Sequence, residues 1–186
     1  MNIKQYPAPV VAILVVVVLV LAFWFLLNPL TKSQHRIIET KAETLVEFLG
    51  RFHPIAVHFP IAFIFGAFFL ELLNSFKGSA LLASASRVFL IMGVLGAVIA
   101  LPLGFAAIAE YGEDSLVEIH KWVALASFLT MLFATSIREA VERKYLSGSW
   151  LIGYRFFLLL TTLLIVWVGY LGGEMVHGVG HLSWPS

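Results

Sequence analysis

The chain contains no cysteine. That excludes disulfides, iron–sulfur clusters, Cys-based zinc sites and the covalent CxxCH attachment of haem, so a metal or cofactor would have to be held by His, carboxylate, Met or backbone groups. Charge is almost as scarce. Only 12% of the residues are Asp, Glu, Lys or Arg, and 12 basic residues against 11 acidic ones leave a net charge of +1. There is no basic stripe and no aromatic–basic interleaving, which excludes nucleic acid as a partner. Nucleophile–base pairs, a P-loop and a Rossmann fingerprint are also missing, so hydrolase, kinase and dehydrogenase readings have no support.

What fills the 186 residues is apolar: 60% are hydrophobic, sixteen are Phe, and the mean hydropathy is +0.94. A soluble domain could not hide that much apolar surface, whereas a bilayer solvates it. Crossing the hydrocarbon core takes about 20 apolar residues in a helix. Five stretches qualify, near 9–30, 54–73, 87–109, 116–137 and 151–171. The first is too long for a signal peptide and no small-residue cleavage site follows it, so it reads as a retained signal anchor. Residues 31–50 interleave Ile37, Ile38, Leu45, Val46, Phe48 and Leu49 with Glu and Lys, the pattern of an amphipathic surface helix. The expected fold is all-α, a polytopic membrane bundle. Residues 1–31 form a transmembrane anchor, 32–50 an amphipathic juxtamembrane segment and 51–186 a four-helix transmembrane bundle.

Basic residues orient the chain. Lys4, Lys77, Arg87, Arg138, Arg143, Lys144 and Arg155 lie on one side, which the positive-inside rule assigns to the cytoplasm. Lys32, Arg36, Lys41 and Arg51 disagree, partly offset by Glu39, Glu43 and Glu47. The expectation is a bacterial inner-membrane protein with its N-terminus cytoplasmic and its C-terminus periplasmic. The histidines need no orientation. His35, His53, His58, His120, His177 and His181 each lie an odd number of crossings from the N-terminus, so all share one side.

Three segments carry these imidazoles. In the first, His53 precedes Pro54, which favours a helix opening there, and His58 follows five residues on. That offset is about 7.5 Å along the axis and roughly 140° around it, so the two rings point to different faces. Pro60 is expected to kink the helix. In the second, residues 115–118 read as a capping box ahead of His120, Lys121 and Trp122. In the third, Gly172, Gly173, Gly178 and Gly180 surround Glu174, His177 and His181. The glycines make helix past His177 doubtful and suggest a turn that lets backbone approach something bulky. Read blandly, these histidines mark the membrane interface.

Several imidazoles at one level of a bundle suit haem b, which is flat, largely apolar and held by axial His from facing helices. His53, His58, His120, His177 and His181 are the candidate ligands, enough for one or two haems. Arg51 and Lys121 would meet the propionates, and Trp122, Phe52 and Phe59 would pack on the ring. Copper or zinc on His53, His58, His120 and His177 is the alternative, and no cofactor at all is the third. Gly93, Gly96 and Gly104 read as small residues for close helix packing. Glu71 reads as a carboxylate snorkelling to water at the cytoplasmic end.

Residues 53–62 (HPIAVHFPIA), 120–122 (HKW) and 172–181 (GGEMVHGVGH) resemble a bacterial family of uncharacterised four-span membrane proteins, the domain-of-unknown-function family numbered 2231. The resemblance covers about residues 50–182 and marks His53, His58, His120 and His177. In that family similar domains can be joined to c-type cytochrome domains, which implies electron transfer near a haem partner. The reading is therefore a b-type haem-binding electron-transfer subunit rather than a stand-alone enzyme. It would sit in the lipid bilayer and work with a partner subunit or a periplasmic cytochrome c. The rival is a structural or assembly subunit.

Overall fold

Inside a bilayer no water is at hand to pair a backbone amide, so each crossing segment must satisfy those groups within its own helix. The computed structural model describes residues 45–111, 114–180 and 182. The first span, His35 and His181 fall outside these residues. The described chain runs through α1 (Leu45–Gly50), α2 (His53–Ala56), α3 (His58–Lys77), α4 (Ala80–Tyr111), α5 (Ser115–Glu142), a 3-10 turn (Gly148–Trp150) and α6 (Leu151–His177). No strand occurs among the described residues. Among the described residues, four stretches are long and apolar enough to cross a membrane: Leu45–Lys77, Ala80–Ile108, Ser115–Glu142 and Gly148–His177. The fold is a polytopic helical bundle, and each helical stretch extends beyond the apolar run that announced it.

The bundle is built from two hairpins, α3–α4 and α5–α6, each packed most extensively within itself. Small residues draw the first hairpin tight. A Cβ on Gly93 would come within 2.7 Å of Ile64, and one on Gly96 within 2.9 Å of Pro60. At Gly50 it would come within 2.7 Å of the Ala107 backbone, so α1 lies directly against α4. The hairpins meet over an apolar core in which Ile64 and Leu90 pack with Phe128, Met131, Tyr154 and Leu158. Buried hydroxyls do not disturb it, because Ser127, Thr161 and Thr162 donate to carbonyls of their own helices.

Local chemistry sets the helix ends. Pro54 occupies the first turn of α2, where its missing N–H costs nothing. The break before α3 falls at Val57, one turn ahead of Pro60, because a proline disturbs the carbonyls that precede it. The start of α5 differs from the capping box expected at 115–118. Asp114 is the cap, its carboxylate accepting the Ser115 N–H at 2.5 Å. Glu118 instead accepts hydrogen bonds from Lys121 Nζ and Trp122 Nε1, each at 2.5 Å.

At the end of the bundle away from the histidines, charges tie the hairpins together. Glu139 on α5 takes Arg87 of α4 in a two-point pair, with Nη2 at 2.8 Å from Oε2, and also pairs with Arg143 at 3.6 Å. Glu71 on α3 pairs with Arg155 of α6 at 2.8 Å. Between them Ser86 donates to the Ala67 carbonyl and lies 3.0 Å from the Tyr154 hydroxyl. Glu71 is therefore not a snorkelling carboxylate: it is buried, 4% exposed, and held by a cation from the other hairpin. Removing Glu71 leaves Arg155, whose side chain is 43% exposed, without its counter-charge. Glu71→Ala should cost about 1–3 kcal/mol of stability. The double change Glu71→Met with Arg155→Met should recover most of it. Thermal unfolding in detergent measures both, and a double variant no more stable than the single one would refute the pairing.

Candidate functional site

The opposite end is organised around two imidazoles. Opening α2 at His53 directs its ring against α4, where Nδ1 lies 3.0 Å from the Ala100 carbonyl oxygen. A carbonyl can only accept, so Nδ1 carries the proton and Nε2 is left as the nitrogen that can meet a ligand. The ring fits because residue 104 is glycine: a Cβ there would lie 2.8 Å from His53 Cε1. His120, in the second turn of α5, faces it from the other hairpin. The two ring centroids are 6.5 Å apart with planes at 85°. Gly172 of α6 backs His120, its Cβ position 3.6 Å from Cε1, and the Val168 backbone lies beside the ring. His120 Nδ1 is buried and makes no hydrogen bond within the described protein.

A cavity opens on each side of this pair, and both imidazoles line each one. The first includes Leu101, Gly104, Ala107 and Ala124, with Lys121 and Met175. The second reaches inward along Ala97, Ala100, Ser127 and Met131. Each measures about 520 Å³ counted out to its open mouth. Small side chains account for the space, since glycine, alanine and serine leave the hairpins apart where larger residues would close them. The result is an apolar groove between the hairpins, crossed by one imidazole from each.

The other expected residues fall elsewhere. His58 points away from His53, as the offset between them requires. It is exposed, and its Nδ1 donates to the Pro54 carbonyl at 2.5 Å, one turn back in α2. His177 closes α6 and is exposed; the helix stops there, so the stacked arrangement with His181 does not form by helix continuation. Arg51 and Phe52 sit exposed in the turn before α2, Phe52 edge-on to Phe48 at 5.3 Å. Phe59 and Trp122 are 60% and 52% exposed and do not line the groove. Lys121 does line it, at the rim, with Nζ 5.6 Å from the centre of the Trp122 ring. Among the described residues no group of three His, Asp or Glu side chains is placed to hold a metal ion.

The 6.5 Å between the ring centroids leaves room for one metal ion between the two imidazoles, whose bonds to it would be about 2 Å each. An orphaned buried nitrogen, apolar space on both sides and a two-imidazole donor set fit a flat, apolar group with axial His ligation. Among the described residues they supply two donors, short of the three or four protein ligands that zinc asks for.

The family described as a predicted membrane protein (DUF2231) matches residues 51–182. The chain belongs to this family. The DUF2231 match contains His53, His120 and every residue that lines the groove, and leaves 1–50 outside it. No curated protein and no solved structure matches the chain.

Sequence reasoning missed Ala100, Gly104 and Gly172 as parts of the site. Their only signal was small size inside spans, which helix packing explains equally well. Gly104→Ala should push the His53 ring off the Ala100 carbonyl. In diethyl pyrocarbonate labelling read by mass spectrometry, His53 should then react several-fold faster. Gly148→Ala, with nothing within 4 Å of its Cβ, serves as the control.

Proposed function

We propose that the protein is a membrane-bound b-type haem subunit in which His53 and His120 hold one haem b between the two hairpins. The observation that carries this is the meeting of two imidazoles from opposite hairpins across an apolar groove. Bound there, the haem would supply one-electron transfer. The chain's own residues do the rest. The Ala100 carbonyl fixes the His53 tautomer and ring plane, the usual service of a backbone acceptor to a ligating imidazole. Gly104 and Gly172 let the two rings sit against backbone. Ala97, Ala124 and Met131 exclude water, and Lys121 at the rim is the cation placed to meet an acidic substituent.

The basic residues Lys77, Arg87, Arg138, Arg143, Lys144 and Arg155 support a cytoplasmic assignment for the ionic end. The His end then faces the periplasm of a bacterial inner membrane, with the N-terminus cytoplasmic and the C-terminus periplasmic. A periplasmic cytochrome c or a partner subunit would exchange electrons there. A second reading rests on Met175, which lines the groove with both histidines: two imidazoles and a thioether suit copper(I).

The test is a reduced-minus-oxidised optical spectrum of protein purified from a host supplied with haem. Bands of six-coordinate haem b are expected. His53→Ala and His120→Ala should each lower haem content by about tenfold or more, while His58→Ala and His177→Ala should keep most of it. A flat spectrum would sink the haem reading. Stoichiometric copper by elemental analysis would then select the second one, and neither group would leave a structural role.

A further inference from the structure

The glycine-rich end of α6 carries an acid that the groove does not use. Glu174 is 5% exposed, and a carboxylate so deeply placed must be met by donors. They come from the chain that follows it. The Gly180 N–H reaches both oxygens, at 3.1 and 2.9 Å, and the Gly178 N–H donates to the Glu174 carbonyl at 3.0 Å. Tyr170, one turn earlier, also hydrogen-bonds the carboxylate. For the backbone to curl back this way, Gly178 and Gly180 adopt φ of +91° and +80°, which L side chains rarely do. The glycines thus serve a carboxylate of their own helix.

The position of this staple gives it a task. On one side of Glu174 in the sequence is Gly172, against the His120 ring; on the other is Met175, in the groove wall. Consecutive Gly172 and Gly173 weaken the helix just where it must hold that wall. We infer that Glu174 is a positioning residue: by binding the 178–180 turn it holds the last turn of α6 against His120 and keeps Met175 in the groove. It sets the shape of one wall and thereby how tightly the groove holds a flat apolar ligand. The ligand part of this inference rests on the haem reading; the staple itself does not.

Because the chain has no cysteine, one introduced thiol reports the wall directly. Met175→Cys, in the full chain in detergent, is labelled with a water-soluble maleimide in three backgrounds: unchanged, Glu174→Gln and Glu174→Ala. Charge-assisted hydrogen bonds hold the turn, so Glu174→Ala should speed labelling at least about tenfold. Glu174→Gln, which keeps one acceptor, should fall between. Thermal unfolding of the bundle should move little across the set. Equal labelling rates in all three backgrounds would overturn the staple. The same Glu174 variants with Met175 intact are then compared for haem content and band positions. Loss in Glu174→Ala with partial rescue in Glu174→Gln supports the positioning role, and an unchanged spectrum in both rejects it. Absence of haem from the unmodified protein would reject the haem reading and the ligand part of the inference, while the labelling rates still decide the staple.

Discussion

A charge buried inside a protein has to bring its counter-charge with it, and the four helices meet where that demand is satisfied. Glu71 faces Arg155, and Glu139 faces Arg87, each pair joining one hairpin to the other. Apolar faces alone would not fix which helix lies beside which, because lipid solvates them as well as a neighbour does. Directional guanidinium–carboxylate pairing does fix it, at two points between Arg87 and Glu139 and at one between Arg155 and Glu71. Ser86 and Tyr154 add one directional hydrogen bond between the hairpins, so a few polar groups at one end help to set the register of the bundle. The energetic worth of such pairs lies less in net attraction than in the cost of every arrangement that leaves a member alone.

At the opposite end the polar groups are imidazoles, and the demand on them differs. A neutral ring has two nitrogens to satisfy, and a backbone carbonyl takes care of one on His53. His120 Nδ1 has no such partner. This end of the bundle thus keeps a buried polar atom without a partner and two cavities at the same place, beside the same two rings. That coincidence supports the haem reading better than the number of histidines did.

Much of this was legible in the sequence. The four spans could be read because hydrocarbon thickness sets a length and a composition that few other structures share. The opposed faces of His53 and His58 followed from helical geometry, and the end of α6 at His177 from the glycines after it. Tertiary pairing was not legible. Glu71 and Arg155 are far apart in the chain, and composition near a span end reads the same whether a carboxylate reaches water or an arginine. The cap at Asp114 was missed because a capping-box pattern one residue later matched as well. His58 and His177 were grouped with His53 by membrane level, a coordinate that says nothing about direction around a helix. The glycines at 178 and 180 suggested an approach to something bulky, and the partner proved to be Glu174.

The separation of the two polar layers has a mechanical side. From Arg138 in the ionic layer to His120 is 18 residues of one continuous helix, about 27 Å. Stiff rods of that length, joined by charges at one end and parted by a groove at the other, act as levers on a common fulcrum. A relative tilt of about 4° at the ion pairs, small against the usual scatter of helix crossing angles, shifts the far tips by about 2 Å. A tilt of that size would change the gap between the rings without any helix having to bend.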